Sequence, residues 1–88
     1  MLCKASELKK REVINVCDGK RLGNITDFEI MVPEGRIEAI VVPGTLSLGS
    51  FFKSSPPIVI PWSNIRKIGE DVIIVELPKN YYRRLEEN

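Results

Sequence analysis

Apolar residues along most of this chain recur with the period of a strand rather than a helix. Glu12–Cys17 is rich in β-branched residues and predicts a first strand. Asp18-Gly19 follows, a pair suited to a type I′ hairpin turn whose central residues both take positive φ. The chain then returns from Lys20 to Val32 as one long predicted strand. Its apolar phase slips within that run: Leu22 and Ile25 are three apart, whereas Phe28, Ile30 and Val32 keep a spacing of two. Both sets face a core only if the strand bulges or bends, and Gly23 lies at the slip.

Pro33-Glu34-Gly35-Arg36 reads as a turn, Ile37–Val42 as the next strand, and Pro43-Gly44 as its stop. Residues 45–57 are irregular, with Leu46, Leu48, Phe51 and Phe52 set among Ser, Gly and Pro. Ile58–Trp62 is a further strand. Ser63-Asn64-Ile65 reads as a tight turn, Ile68 as an inward-packing residue and Gly69-Glu70-Asp71 as another turn. Val72–Leu77 forms the last strand, stopped by Pro78. Ahead of the strands, Ala5–Lys10 suits a single helical turn capped by Ser6, with Leu8 folded inward. Lys79–Asn88 suits a short amphipathic helix with Tyr81, Tyr82 and Leu85 as its apolar members.

Short strands, tight turns and almost no helix imply an all-β fold, a small barrel of about six strands. A long strand bent at a glycine suits a barrel better than a flat sheet. The expected organisation is one domain over residues 1–78 and a tail over 79–88. A chain of 88 residues buries a modest fraction of its surface, so its stability margin is thin.

Composition narrows the chemistry. The net charge is +1, too small for bulk attraction to nucleic acid or anionic lipid. Histidine is absent, which removes the commonest general base and metal ligand. Cys3 and Cys17 lack zinc or thioredoxin spacing; both fall in strand-like runs and are expected to be small buried hydrophobes, with a disulfide between them left open. No signal-peptide core or bilayer-length apolar run appears, so a soluble cytoplasmic protein is expected.

Val13-Ile14-Asn15-Val16, Asp18-Gly19, Leu22-Gly23, Ile25, Asp27 and Ile30 form an ordered set. Gly35-Arg36-Ile37, the strand to Val42, and Ile60-Pro61-Trp62 through Ile65 and Ile68-Gly69-Glu70-Asp71 to Val75 extend it. With these spacings, the chain resembles the PRC-barrel family over about residues 3 to 77. It looks closest to the small stand-alone members associated with sporulation. The resemblance implies a compact barrel without catalytic activity or cofactor that serves as a docking module. It carries over no catalytic or metal-binding residues. Asp18, Gly19, Gly23 and Asp27 read as turn and bulge chemistry, and Gly69 as a turn residue.

Other features admit sharper readings. Gly44 and Gly49 have the spacing of a phosphate loop, but Ser50 and Phe51 stand where Lys and Ser or Thr are needed. Asp27, Glu29 and Glu38 could share an acid–base or cation site across the central hairpin; the plainer reading is a solvated strand face. Trp62 is read as covering one barrel end, its N–H reaching a carbonyl, ahead of an interface role. Phe51 and Phe52, adjacent in a polar loop, are the foremost partner-binding candidates, against simple capping of the barrel. Tyr81-Tyr82-Arg83-Arg84 interleaves aromatics with charge as single-strand binders do, before Glu86-Glu87 offsets it. The favoured function is a non-enzymatic interaction or scaffold module. Leu48, Phe51 and Phe52 of the 44–57 loop, with Tyr82 and Arg83, would contact a protein partner or a second copy in a homodimer. The alternative is an RNA-associated small barrel.

Overall fold

The computed structural model describes residues 1–44, 57–78 and Tyr81. A single helical turn, α1 (Ala5–Leu8), precedes seven strands. These are β1 (Glu12–Asn15), β2 (Arg21–Asn24), β3 (Asp27–Met31), β4 (Arg36–Val42), β5 (Ile58–Pro61), β6 (Ile65–Ile68) and β7 (Val72–Val75). They form two sheets, ordered β2-β1-β7-β6 and β3-β4-β5. All pairings are antiparallel except β1 with β7. The fold is all-β, but its ladders remain two sheets instead of closing into one barrel.

Two runs of chain pass from sheet to sheet. The predicted strand over 20–32 divides at Ile25-Thr26 into β2 in one sheet and β3 in the other. The phase slip marks that corner. Val13 pairs with Gly23 and Ile14 with Arg21, leaving Leu22 as the extra residue of a bulge. Gly23 takes φ +91°, so Leu22, Gly23 and Ile25 are all buried despite their uneven spacing. At the second corner a 3-10 turn, Trp62–Asn64, joins β5 to β6. Leu22, Ile25, Ile40, Val42, Ile58, Ile60, Ile73, Val75 and Leu77 fill the space between the sheets, with Val13 and Leu8.

Several expectations give way to specific local forces. The 16–19 turn is not type I′, because only Gly19 has positive φ (+72°). It is a four-residue loop in which Asn15 accepts from Gly19 N–H at 2.8 Å and donates to Lys20 O at 2.9 Å. Cys17 lies in this loop, and both it and Cys3 are exposed free thiols, not buried ones. Ser6 lies inside α1; the cap is Lys4, whose backbone N–H donates to Glu7 Oε1 at 3.1 Å. Leu8 is buried as expected. The turn expected at Ser63-Asn64-Ile65 falls at Trp62–Asn64, Ile65 opens strand β6, and Ile68 is 41% exposed because β6 is a sheet edge. Ile30 and Val32 are exposed, for the reason given below.

The Lys4–Glu7 bond lowers the Glu7 carboxyl below its ordinary range, helped by Cys3 and by the nearby Arg11 and Lys10 charges. A carboxylate so shifted stabilises the turn above the ordinary glutamate range and loses that contribution as pH falls through the lowered value. In a proton-detected carboxyl titration, Glu7 is expected to titrate below the ordinary glutamate range. In Glu7→Gln the amide shift of Lys4 should stop following pH; titration at the ordinary glutamate value would contradict this capping role.

Candidate functional site

The expected partner-binding residues Leu48, Phe51, Phe52, Tyr82 and Arg83 lie outside the described residues. The chain on either side of residues 45–56 is described. Val42 of β4 pairs with Ile58 of β5, so this segment leaves and rejoins the fold at one point of its rim. Gly44 takes φ +98° there and donates its N–H to Leu22 O at 3.0 Å. A Cβ on Gly44 would sit 2.8 Å from Ile58 Cδ1. The two ends of the segment are therefore packed against each other and tied to β2.

The remaining sequence-predicted residues are placed as follows. Asp18 Oδ1 accepts from Lys20 N–H at 2.9 Å, and Asp27 Oδ1 accepts from Phe28 N–H at 2.8 Å. Gly69 donates to Val72 O at 2.8 Å, closing the turn between β6 and β7. Trp62 is half-buried against the core. Asp27, Glu29 and Glu38 do not converge: Asp27 pairs with Val41, Glu29 with Ala39, and Glu38 is the extra residue of a β4 bulge. Among the described residues no group of carboxylates or thiols has the arrangement of a metal site.

An exposed apolar surface emerges where the sequence predicted core. Among the described residues, strand β5 pairs only with Ala39–Val42 of β4, so the other half of β4, with the end of β3, extends beyond the β5 pairing. Ile30 is 56% exposed, Val32 76% and Met31 39% on this ribbon. Phe28, nearer the body, is half-buried against the core. The apolar period in Phe28, Ile30 and Val32 is real, but only its first member reaches the core. The detectable signal was the unequal length of the β4 and β5 runs. Carboxylates surround the overhang, with Arg36 bonded to Glu38 at 3.4 Å.

A second surface feature is an open polar cleft between α1 and the β6–β7 turn, lined by Glu7, Lys10, Arg11, Glu70 and Asp71. Arg11 Nε–H spans it to Glu70 O at 3.0 Å. That contact ties α1 to the sheet and leaves the charges solvated. Tyr81 packs against the core, and burial, with a smaller effect from Glu29, raises its hydroxyl pKa. No helix among the described residues is long and apolar enough to cross a membrane.

Residues 3–81 match the PRC-barrel domain family. The chain is 49% identical over 72 residues to the Bacillus subtilis protein named "Probable sporulation protein YlmC", covering 82% of this chain and 89% of that one. It is 36% identical over 83 residues to "Uncharacterized protein YmxH" of the same organism, covering 92% and 96% of the two chains. An uncharacterized Clostridium acetobutylicum protein is 40% identical over 68 residues, covering 77% of each chain.

Proposed function

The chain belongs to the PRC-barrel family, and from that premise we propose that it is a non-enzymatic docking module whose rigid two-sheet body presents the 44–57 segment to a protein partner. The supporting observation is the anchoring of that segment. Its ends meet at the Val42–Ile58 pair and are fixed by the close Gly44–Ile58 contact. Leu48, Phe51 and Phe52 are its contact residues, with Tyr82 and Arg83 from the 79–88 tail as a second contribution to the interface. The body comprises residues 1–78. Similarity to a protein named for sporulation supports a role in that process, and the proposal sets the module in the cytoplasm. Self-association through the same segment is the simplest form of the interaction. No observation favours the RNA reading.

The test is light scattering coupled to size exclusion on wild type and on the Phe51→Ser/Phe52→Ser double variant, with thermal melting as the fold control. The expected result is a wild-type oligomer that becomes a folded monomer in the variant. A variant that unfolds would make the two aromatics core residues and remove the docking role. If wild type is monomeric, the docking reading is judged by capture from a sporulating lysate, where the folded variant should lose the wild-type partner band. Identical captures by both proteins would reject the segment as the interface.

A further inference from the structure

The overhanging β3–β4 ribbon combines features that neither the core nor the 44–57 segment explains. Strand β3 is an edge of its sheet among the described residues, so one side of its backbone lacks a strand partner. Such an edge is a template for an added strand. Its side chains alternate, with Phe28 and Ile30 on one face and Asp27, Glu29 and Met31 on the other. The apolar face does not end at the core, since Ile30 and the adjacent Val32 project into solvent. The opposite face is acidic. Between Asp27 and Glu38 the ribbon carries four carboxylates against the single guanidinium of Arg36, a local charge of −3 in a chain of net +1. Arg36 is engaged with Glu38, while Asp27, Glu29 and Glu34 form no ion pair among the described residues.

We propose that the β3 edge accepts an extended segment of another protein, alternating apolar and basic residues, as an added strand. Backbone bonds to the side of β3 that has no strand partner among the described residues would provide the attachment. Apolar side chains of the segment would lie beside Phe28, Ile30 and Val32. Its lysines or arginines would lie beside Asp27 and Glu29 on the other face, where opposite charges on neighbouring strands are favourable. Charge selects this occupant over a second copy, because two such ribbons meeting edge to edge bring like charges together. The inference rests on the docking reading above but uses a different surface, so the two fail separately.

The probe is a fluorescein-labelled peptide of about eight residues alternating lysine and valine, a length that spans one strand. Fluorescence anisotropy at low salt reads its binding to the full chain. Lysine–valine peptide should bind, and its glutamate–valine and lysine–serine counterparts should bind at least about tenfold more weakly. A strand added at one edge uses alternate amides, so N-methylating one alternate set should abolish binding and methylating the other should spare it. Glu29→Lys and Ile30→Ser should each weaken binding by about tenfold or more with unchanged melting curves, and Phe51→Ser/Phe52→Ser should leave it unchanged. Absence of lysine–valine binding overturns the proposal, as does full binding by folded Ile30→Ser. Tolerance of both methylated sets would reduce the interaction to charge alone and reject the added strand. A wild-type oligomer that Ile30→Ser dissociates, with no peptide binding, would assign the edge to a second copy and also overturn it. Failure here with retained Phe51/Phe52-dependent association leaves the docking function standing.

Discussion

Asn15→Leu is expected to lower the free energy of unfolding by about 3 kcal/mol and the melting temperature by about 15 °C. Asn15 is a fully buried polar residue at the end of β1. Its backbone continues the parallel pairing to Val75, after which the chain leaves the ladder. The side chain takes over from there. Nδ2–H donates to Leu77 O at 3.0 Å, and Oδ1 accepts from Leu77 N–H at 2.9 Å. Oδ1 also accepts from Cys17 N–H at 3.2 Å, so one amide organises both the hairpin turn and the chain after β7.

Leucine keeps the branched shape of asparagine but is larger, so no cavity opens and overpacking adds to the cost without being its main part. The main cost is leaving the backbone groups of buried Leu77 without partners, at about 1–3 kcal/mol for each buried group so stranded. Asn15→Asp separates hydrogen bonding from packing. A protonated carboxyl supplies a donor and an acceptor, as the amide does; the ionised form supplies only acceptors and is buried. Its folded-state pKa is therefore raised, and the variant should be nearest wild type at about pH 4 and lose stability as pH rises towards about 7. Denaturant melts at both values decide the matter. A loss under about 0.5 kcal/mol in Asn15→Leu would show that water replaces the amide at no cost.

How much of this was legible beforehand follows from which forces are local. Turn residues and apolar period are local, so β1, β4, β5 and β7 stand where the alternation put them, and Gly23 lies at the bulge its phase slip required. Sheet membership is not local. Nothing in 20–32 itself says that β2 and β3 belong to different sheets; that depends on β1 pairing one half and β4 the other. Strand β6 is not visible in the apolar pattern because Arg66 and Lys67 hide its alternation. It is an edge strand with a bulge between Ile65 and Lys67, held at Arg66 by Glu76 at 2.7 Å and Ser63 O at 2.8 Å. The period alone turns Ile30 and Val32 inward, because it reports a face and not whether another sheet covers it. The same overhang turns a core prediction into a surface. Cys17 shows the converse, an apolar residue carried by a strand-like run into a turn whose course Gly19 and Asn15 decide.

Gly44→Ala is expected to cost about 2–3 kcal/mol, more than the same change at Gly19, about 1 kcal/mol. Both residues have positive φ, +98° and +72°, so both substitutions force an L side chain into an unfavoured backbone region. They differ in their surroundings. A Cβ at Gly19 meets nothing within 4 Å, whereas one at Gly44 meets Ile58 Cδ1 at 2.8 Å and Cγ1 at 3.0 Å. Ile58 is a core residue, so its side chain yields only by repacking against its buried neighbours. Ile58→Val deletes the Cδ1 atom that is nearest. The double variant should therefore be more stable than the sum of the single changes predicts, by about 0.5–1 kcal/mol, in a double-mutant cycle measured by urea unfolding. Strict additivity would place the whole cost in backbone strain and remove the Gly44–Ile58 contact as an anchor. The same contact sits where residues 45–56 leave and rejoin the body. If that segment docks a partner, Gly44→Ala should weaken Phe51/Phe52-dependent association under conditions where the domain stays folded, and Gly19→Ala should not. Association that survives a disturbed anchor would mean the segment binds independently of the barrel rim, and the body would no longer be its scaffold.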